Sequence, residues 1–295
     1  MKILITGAHG QVGSELVVQG QSLGFDVVAT DREQLNITDE SAVTAFVNQQ
    51  RPDLIINAAA YTAVDQAETD QALAYAINAE AVKYLAESAK SLDIPLLHIS
   101  TDYVFDGSKS KPYVEDDLIN PVNLYGASKR KGEEYLEQSG VKFVNLRTSW
   151  VFGLEGNNFV KTMLRLAEER DEFGVIDDQL GGPTFAADIA AALLNIAQQT
   201  QNADFDQWGT YHYSGMPYVS WWQFADYAIQ AAYEHGLITQ LPKLNKLTTS
   251  QYPTPAKRPH NSRMVLDKVQ NAFAVSPSDW KAACLKLIHS MIENN

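Results

Sequence analysis

Short apolar runs alternate with longer amphipathic segments over the first half of the chain. The apolar runs lie at residues 3–5, 27–29, 54–56, 96–99 and 143–146. Because these runs are continuous, they are typical of parallel strands that helices cover on both faces. Apolar residues at helical spacing fill several of the intervening segments, at residues 39–50, 70–91 and 123–138. The alternation predicts an α/β fold with a Rossmann-like, doubly wound parallel sheet.

The second half of the chain has a different pattern. Helical spacing recurs over residues 157–170, 188–199 and 221–236. Three prolines exclude a long helix in the stretch that follows, at Pro253, Pro255 and Pro259. We expect residues 1–150 to form the sheet domain, joined by later segments. Residues 151–295 are expected to form a smaller, mixed α/β substrate-binding lobe.

A glycine-rich turn follows the first predicted strand and begins a helix. Its spacing is Gly7-x-x-Gly10-x-x-Gly13, which differs from the G-x-G-x-x-G of many dehydrogenases. Glycines let the backbone approach a diphosphate, and the free N–H groups of a helix start attract its charge. We therefore predict that residues 1–150 bind NAD(P), with Gly7, Gly10, Gln11, Val12 and Gly13 around its diphosphate. A glycine turn without a nucleotide is the alternative.

The end of the second strand carries residues suited to the adenosine half of such a cofactor. Asp31, 18 residues after Gly13, could bind the ribose hydroxyls or only close a turn. Arg32 could pair with a 2′-phosphate, so NADH and NADPH both remain open. Asp39 could reach the adenine or cap the next helix. Small residues after the third strand either leave room for the cofactor or pack against a helix, at Ala58, Ala59 and Ala60.

Tyr125 and Lys129 form the most informative pair of side chains, because residues four apart share a helix face. An ammonium beside a tyrosine should lower its pKa from near 10 by roughly 1–3 units. Tyr125 could then donate a proton to a ketone oxygen, and Lys129 could also hold the nicotinamide ribose. An ordinary surface pair has the same spacing. The functional interpretation is favoured by Thr101 at the end of the fourth strand, where the ligand crevice of such a sheet lies.

These motifs together resemble the extended short-chain dehydrogenase/reductases. More narrowly, the chain is similar to the dTDP-4-dehydrorhamnose reductase family within them. The segments that carry this narrower resemblance are residues 10–13, 57–65, 100–105, 125–129, 147–151, 157–159 and 258–263. With the glycine turn they span residues 7–263 in order, nearly the whole chain.

The resemblance implies reduction of the C4 ketone of a dTDP-linked 6-deoxy sugar by NADPH or NADH, giving dTDP-L-rhamnose. It implies that Tyr125 is the acid, that Lys129 is its partner and that the Thr101 hydroxyl binds the sugar. It also assigns a group of residues to the substrate site, at Thr62, Asp102 and Trp150. For Trp150, a place in the apolar core is the alternative.

Enzymes with related activities differ from this chain at the same motifs. Sugar-nucleotide 4,6-dehydratases carry Asp-Glu after the strand-four threonine, whereas Asp102 precedes Tyr103 here. A catalytically silent, NAD(P)-binding regulatory subunit is the remaining alternative, and the intact Tyr125 and Lys129 argue against it. Some relatives bind a metal at a dimer contact lined with carboxylates, but an alanine, Ala187, takes one such position. We therefore expect no metal, and a homodimer remains possible.

Charge and composition limit the partners. The net charge of −13 disfavours nucleic acid and anionic membranes, and we find no apolar run of 18 residues. The single cysteine, Cys284, excludes an internal disulfide framework, so a cytoplasmic protein is expected. Arg258 and Arg263 stand out in this acidic chain. They form either a clamp on the diphosphate of the sugar nucleotide or a solvated loop.

Overall fold

The computed structural model describes residues 1–294 as strands and helices in the following order. The strands are β1 (Lys2–Thr6), β2 (Asp26–Thr30), β3 (Leu54–Asn57), β4 (Leu96–Thr101), β5 (Phe143–Thr148), β6 (Val151–Phe152), β7 (Glu172–Ile176), β8 (Leu180–Gly181), β9 (Thr184–Phe185), β10 (Gly209–His212), β11 (Gly215–Met216), β12 (Val219–Ser220), β13 (Lys243–Leu247) and β14 (Ser278–Asp279). The α-helices are α1 (Gln11–Ser22), α2 (Glu40–Gln50), α3 (Val64–Ala67), α4 (Gln71–Tyr75), α5 (Ala81–Ser91), α6 (Leu124–Gln138), α7 (Phe159–Glu169), α8 (Ala186–Gln199), α9 (Trp221–Glu234), α10 (Asp267–Phe273) and α11 (Trp280–Glu293). A π-helical turn (Ala76–Glu80) joins α4 to α5, and 3₁₀ turns occupy Asp102–Val104 and Thr249–Gln251.

Six parallel strands form the central sheet, in the order β10-β5-β4-β3-β1-β2. All five strands predicted from the apolar runs lie in this sheet, which confirms the Rossmann-like α/β fold. The sixth strand, β10, comes from the second half of the chain and pairs with β5 at the edge.

Helices cover both faces of the sheet, which explains the continuous apolar runs. In β1, Ile3 and Ile5 pack into a core with Leu16 of α1 and the buried face of α8. Leu4 points the other way, into a core shared with Val43 of α2 and with α5 and α6. Since successive side chains of a strand alternate between faces, a strand covered on both faces must be apolar at every position.

A second apolar core lies entirely in the later half of the chain. Its buried members run from Phe152 to Ile288, and the rings of Phe152, Phe224 and Trp280 lie at its centre. Short strand pairs border this core, including β7 with β13 in parallel and β8 with β12 antiparallel. The proline-containing stretch after α9 contains β13 and a 3₁₀ turn. It forms no long helix, as the prolines predict.

Side-chain caps fix where several helices begin. The Asp39 carboxylate accepts a hydrogen bond from the Ala42 N–H at 3.0 Å, so it caps α2. This is one of the two interpretations that the sequence left open for Asp39. The Asn123 side chain likewise caps α6 through the Gly126 N–H at 2.7 Å. That cap determines the start of the helix that carries Tyr125.

Candidate active site

The turn between β1 and α1 leaves room for a diphosphate. Gly7 adopts φ +70°, a left-handed conformation that favours glycine. A Cβ at Gly13 would lie 2.0 Å from the Gly7 carbonyl oxygen, so only glycine lets the helix approach the turn this closely. Within the described chain no side chain caps α1 at Gly10. The first amides of α1 are therefore available to an anion, and the turn fits a dinucleotide.

The segment after β3 lies against this glycine turn. A Cβ at Gly7 would be 2.6 Å from the Ala59 nitrogen and 2.8 Å from the Ala58 carbonyl carbon. Ala60 is half-buried, and Thr62 is exposed a short distance further along the chain. The structure thus brings the small residues after β3 to the predicted diphosphate site.

Asp31 lies at the carboxyl end of β2 and closes a turn. Its Oδ1 accepts hydrogen bonds from the backbone N–H groups of Glu33 at 2.8 Å and Gln34 at 3.0 Å. The N–H of Gln34, followed by that of Glu33, holds the pKa of the carboxyl below its usual range. The other oxygen lies 3.1 Å from Nδ1 of His9, and Arg32 beside it is exposed. Asp31 therefore closes the turn as an ionised carboxylate at the end of the strand.

Polar side chains gather where β4 ends. The Thr101 hydroxyl donates to Oδ1 of Asp102 at 3.0 Å and accepts from the Tyr103 N–H. Helix α6 approaches this point so closely that a Cβ at Gly126 would lie 2.1 Å from the Tyr103 carbonyl oxygen. The rings of Tyr103 and Tyr125 meet edge to face at 5.8 Å. The close approach of α6 therefore brings Tyr125 to the carboxyl end of the sheet.

Burial raises the pKa values of one carboxyl group and one phenol group in this cluster, those of Asp102 and Tyr125. Burial raises the pKa of Asp102 from 3.8 to about 7, and its Oδ2 has no hydrogen-bond partner among the described residues. Burial also raises the pKa of Tyr125 to about 12, although hydrogen bonding with Thr101 acts in the opposite direction. At neutral pH Tyr125 keeps its proton and is able to donate it.

The expected lowering of the Tyr125 pKa by Lys129 does not occur in this structure. The Lys129 ammonium group instead donates to the Ile99 carbonyl at 2.7 Å and lies 3.3 Å from Nε2 of His98. Lys129 is only 1% exposed, and burial lowers its pKa to about 8. Residues four apart share a helix face, but a long lysine side chain turns toward whichever buried acceptor it can reach.

Trp150 lies just beyond β5 with φ +48°, a conformation that non-glycine residues seldom adopt. Its ring stacks on that of Trp221 at 3.5 Å with an angle of 9° between the planes. On its other side the backbone of Gly181 comes so near that a Cβ there would lie 2.4 Å from the Trp150 ring. Trp150 is half-buried and packs against the second core, so both interpretations from the sequence remain.

Arg258 is paired within the protein, which differs from the predicted diphosphate clamp. Its Nη2 contacts Oδ2 of Asp65 at 2.7 Å, and its Nη1 contacts Oδ1 at 2.9 Å. Arg263 is bonded through Nε to Asn261 and through Nη2 to the Ser110 carbonyl. Because the Asp65 carboxylate takes both arms of the Arg258 fork, a bidentate bond from Arg258 to a phosphate would have to displace it.

Sequence reasoning missed several buried polar residues around the site. Asn57 and His98 are both fully buried and hydrogen-bonded to each other at 3.1 Å. Asn78 bonds both backbone groups of Tyr61 and the Ser128 hydroxyl. The available signal was a polar residue within or next to an apolar run, since such a residue must find a partner when it is buried.

The side chains around Ala187 are engaged in hydrogen bonds within the protein. Gln19 donates to Glu15 at 3.1 Å and to the Ala187 carbonyl at 3.0 Å. Residues 1–294 contain no group of three or more histidine, cysteine, aspartate or glutamate side chains that could hold a metal ion. Across the same residues, every helix is too short or too polar to span a membrane.

The chain is similar over nearly its whole length to known dTDP-4-dehydrorhamnose reductases. A dTDP-4-dehydrorhamnose reductase of Aggregatibacter actinomycetemcomitans is 47% identical over 293 residues, which cover 99% of this chain and 99% of that protein. The crystal structure of a dTDP-4-dehydrorhamnose reductase from Clostridium acetobutylicum has a TM-score of 0.91 and 37% identity, covering 99% of this chain and 100% of that one. The corresponding Bacillus anthracis structure, in complex with NADP, has a TM-score of 0.87 and 34% identity, with coverage of 100% and 99%.

The family itself is identified over the full length of the fold. The family model described as the RmlD substrate binding domain matches residues 1–292. This range includes the glycine turn, the β4 and α6 cluster and the Arg258 loop. The chain therefore belongs to the dTDP-4-dehydrorhamnose reductase family, as the motifs between residues 7 and 263 predict.

Proposed function

We propose that this chain reduces the C4 ketone of dTDP-4-dehydro-L-rhamnose with NAD(P)H, giving dTDP-L-rhamnose for cell-surface polysaccharide synthesis. The observation that carries the proposal is the arrangement of Thr101 and Tyr125 at the carboxyl edge of the sheet. A protonated phenol and a hydroxyl meet there, on the same sheet edge as the glycine turn. Ligands of open α/β sheets bind at this edge.

The residues around the glycine turn would hold the cofactor. The amides of Gln11, Val12 and Gly13 would bind its diphosphate, and the carboxylate of Asp31 would bind the adenosine ribose. Arg32 is exposed beside that ribose position and would pair with a 2′-phosphate. When bound, NAD(P)H supplies the hydride. Since both residues are present, we propose that either cofactor is accepted.

Tyr125 would act as the general acid of the reduction. A ketone oxygen that accepts a hydride at carbon gains negative charge and needs a proton. The phenol of Tyr125 retains its proton at neutral pH, because burial raises its pKa to about 12. In the structure the Thr101 hydroxyl donates its single proton to Asp102 at 3.0 Å. Thr101 would position the same ketone oxygen by turning that proton from Asp102 to the sugar.

Lys129, one turn further along α6 than Tyr125, would support the reduction. Its ammonium is anchored on the Ile99 carbonyl, one helical turn along α6 from Tyr125. The ammonium would hold the nicotinamide ribose, as the sequence predicts, and so orient the cofactor toward Tyr125. This role requires Lys129 to be protonated during turnover.

The later half of the chain would bind the sugar nucleotide. We propose residues 1–150, with β10 and α8, as the cofactor domain and the rest of residues 151–295 as the substrate lobe. Trp150 would face the sugar, and Thr62, which is exposed, would also contact the substrate. Arg263 would contact the diphosphate, whereas Arg258 would act by holding its loop on Asp65. We place the reaction in the cytoplasm, where the buried Cys284 stays a free thiol.

The test is a direct assay of reduction. Purified protein is mixed with NADPH and dTDP-4-dehydro-L-rhamnose, and the loss of absorbance at the reduced nicotinamide band is followed. The sugar product is identified by NMR. We expect oxidation of NADPH that depends on the sugar nucleotide and yields dTDP-L-rhamnose. NADPH that binds without turnover in this assay would instead support a regulatory subunit.

A further inference from the structure

A continuous chain of buried polar groups runs beneath the active site. The Ala59 N–H and the Thr6 hydroxyl both donate to Oδ1 of Asn57, at 3.1 and 2.7 Å. Nδ2 of Asn57 lies 3.1 Å from Nδ1 of His98. Nε2 of His98 lies 3.3 Å from Nζ of Lys129. Asn57 and His98 are fully buried and Lys129 is 1% exposed, so no water competes for these contacts.

The direction of the first bonds follows from the backbone. A backbone N–H can only donate, so the Ala59 amide fixes which end of the Asn57 side chain is the oxygen. The Asn57 amide nitrogen, a donor, then faces Nδ1 of His98, which must accept. A neutral imidazole carries a single proton, and it therefore lies on Nε2. Burial, together with the charge of Lys129, keeps the pKa of His98 well below its usual range, so the ring is neutral.

The protonated Nε2 of His98 also constrains the protonation state of Lys129. The Nε2–H of His98 points at Nζ of Lys129, and an ammonium group has no lone pair to accept it. A free amine has one, and it can still donate to the Ile99 carbonyl at 2.7 Å. Each contact from Ala59 through Asn57 and His98 to Lys129 pairs a donor with an acceptor only when Lys129 is a free amine. Protonation of Lys129 puts two donors face to face at one of its links.

We propose that His98 is a positioning residue that directs an N–H at Lys129 and thereby weakens the hold of Lys129 on its proton. The weaker proton binding by Lys129 sets an upper pH limit for the reaction. Only this pH limit rests on the proposed function. As pH rises, Lys129 becomes the free amine that these buried polar groups accommodate, and the ammonium group that the proposed function requires is lost.

The other charged groups near Lys129 do not reverse this effect. Glu133 lies one turn further along α6, and its carboxylate favours the ammonium form. Glu133 is itself engaged by Arg147 of β5, with contacts of 2.8 Å from both Nε and Nη2. Tyr125, one turn earlier, is neutral. Burial is the main reason why the pKa of Lys129 lies at about 8, and His98 is the titratable group in direct contact with Nζ, at 3.3 Å.

The test replaces the imidazole N–H by an acceptor. Glutamine at position 98 can place its amide oxygen where Nε2 lies, and that oxygen would accept from the ammonium. The Lys129 titration is followed in cofactor-free protein by the lysine 13Cε chemical shift, with its signal assigned by its loss in Lys129→Met. We expect the Lys129 titration midpoint to rise by about one pH unit in His98→Gln, a tenfold gain in proton affinity. The upper pH limit of kcat should rise with it.

The matched control is His212→Gln. His212 is also fully buried in the sheet, on β10, but its ring faces Arg147 at 3.5 Å rather than Lys129. This control should leave the Lys129 midpoint where it is. An unchanged midpoint in His98→Gln, or an equal rise in His212→Gln, would overturn the proposal.

A second measurement uses the unaltered protein and so does not depend on whether a His98 variant folds. The 15N shifts of His98 in the unaltered protein distinguish a protonated Nε2 from a protonated Nδ1. We expect the proton on Nε2, and its presence on Nδ1 would refute the inference. Both measurements use protein without cofactor. Their failure is therefore distinguishable from a lack of turnover, which would count against the reductase activity instead.

Discussion

Arg258 and Asp65 form a two-armed ion pair that joins the loop after β13 to helix α3, across 193 positions of the chain. The same carboxylate accepts the Ala256 N–H at 3.1 Å, so Asp65 holds the loop at two points. Hydrogen bonding by Arg258 is the main reason why the pKa of Asp65 lies below its usual range. This contact shapes the loop that continues to Arg263, on the side of the molecule where the sugar nucleotide is expected.

This ion pair predicts that Asp65 and Arg258 act as a unit on substrate binding. Asp65→Asn and Arg258→Ala should each raise KM for the dTDP-sugar about fivefold, because each releases the loop at a cost of about 1 kcal/mol. The partial exposure of the pair keeps this value low. The double variant should be no worse than either single one, and steady-state kinetics measure all three.

If Arg258 instead bound the diphosphate directly, the two changes would differ. Asp65→Asn would free the guanidinium and leave KM unchanged or lower, whereas Arg258→Ala would raise it 10- to 100-fold. Arg263→Ala serves as the comparison, because Arg263 has no carboxylate partner among the described residues. Under the proposed function it should raise KM for the sugar nucleotide without changing that for NADPH.

Asp102 predicts an unusual pH dependence of stability. Burial raises its pKa from 3.8 to about 7, so the folded protein binds this proton more tightly than the unfolded chain. The resulting stability is fully present below pH 3.8 and is lost as pH rises through 7. Asp102→Asn should flatten this dependence and make the variant relatively more stable at pH 8 than at pH 5, by roughly 2–3 kcal/mol. Urea unfolding at the two pH values measures the difference.

The control for this experiment is Asp106→Asn. Hydrogen bonds from Ser108 lower the pKa of Asp106 to about 2, so its contribution is lost only as pH falls through 2. Between pH 5 and 8 its replacement should shift stability equally at both values. A slope that survives in Asp102→Asn would place the titrating group elsewhere.

Arg32 predicts a preference between cofactors. It is exposed beside Asp31, and a 2′-phosphate would be its only strongly charged partner on NADPH. Arg32→Ala should lower kcat/KM for NADPH about 5- to 10-fold and leave that for NADH nearly unchanged. Glu33→Ala, an exposed charge next to it, is the control. Equal losses with both cofactors would show that Arg32 does not meet the phosphate.

The strands were predictable where helices cover them and not at the edge. Strands β1 and β3 are apolar at almost every position because both of their faces are buried. Strand β10 has one strand neighbour in the sheet, and its sequence from Gly209 to His212 has no apolar run. No periodicity could therefore reveal it, although it completes the sheet.

The sequence predicted candidate residues for the site but not the contacts that these residues make. Spacing placed Tyr125 and Lys129 on one helix face, yet the lysine turned toward β4, because the buried Ile99 carbonyl accepts its hydrogen bond at 2.7 Å. Likewise nothing in the sequence pairs Arg258 with Asp65, since the two are brought together only by the fold. Which atoms meet depends on the packing of distant elements, and composition carries no record of it.

Tyr125 predicts the largest loss of activity. Tyr125→Phe removes the proton donor and little volume, so kcat should fall roughly 10²–10⁴-fold. The Kd for NADPH should stay close to that of the unaltered protein, because the phenyl ring keeps its edge-to-face contact with Tyr103 at 5.8 Å. Single-turnover kinetics and fluorescence titration with NADPH measure the two quantities separately.

Tyr135→Phe is the matched control for that loss. Tyr135 lies on the same helix, ten residues further along, and its hydroxyl donates to Glu80 at 2.9 Å. Its replacement removes a hydroxyl from α6 without touching the β4 cluster, so kcat should be unchanged. If Tyr125→Phe kept more than about a tenth of kcat, the loss would be too small for a general acid. Asp102, which holds its proton up to about pH 7, would then be the group to test as donor.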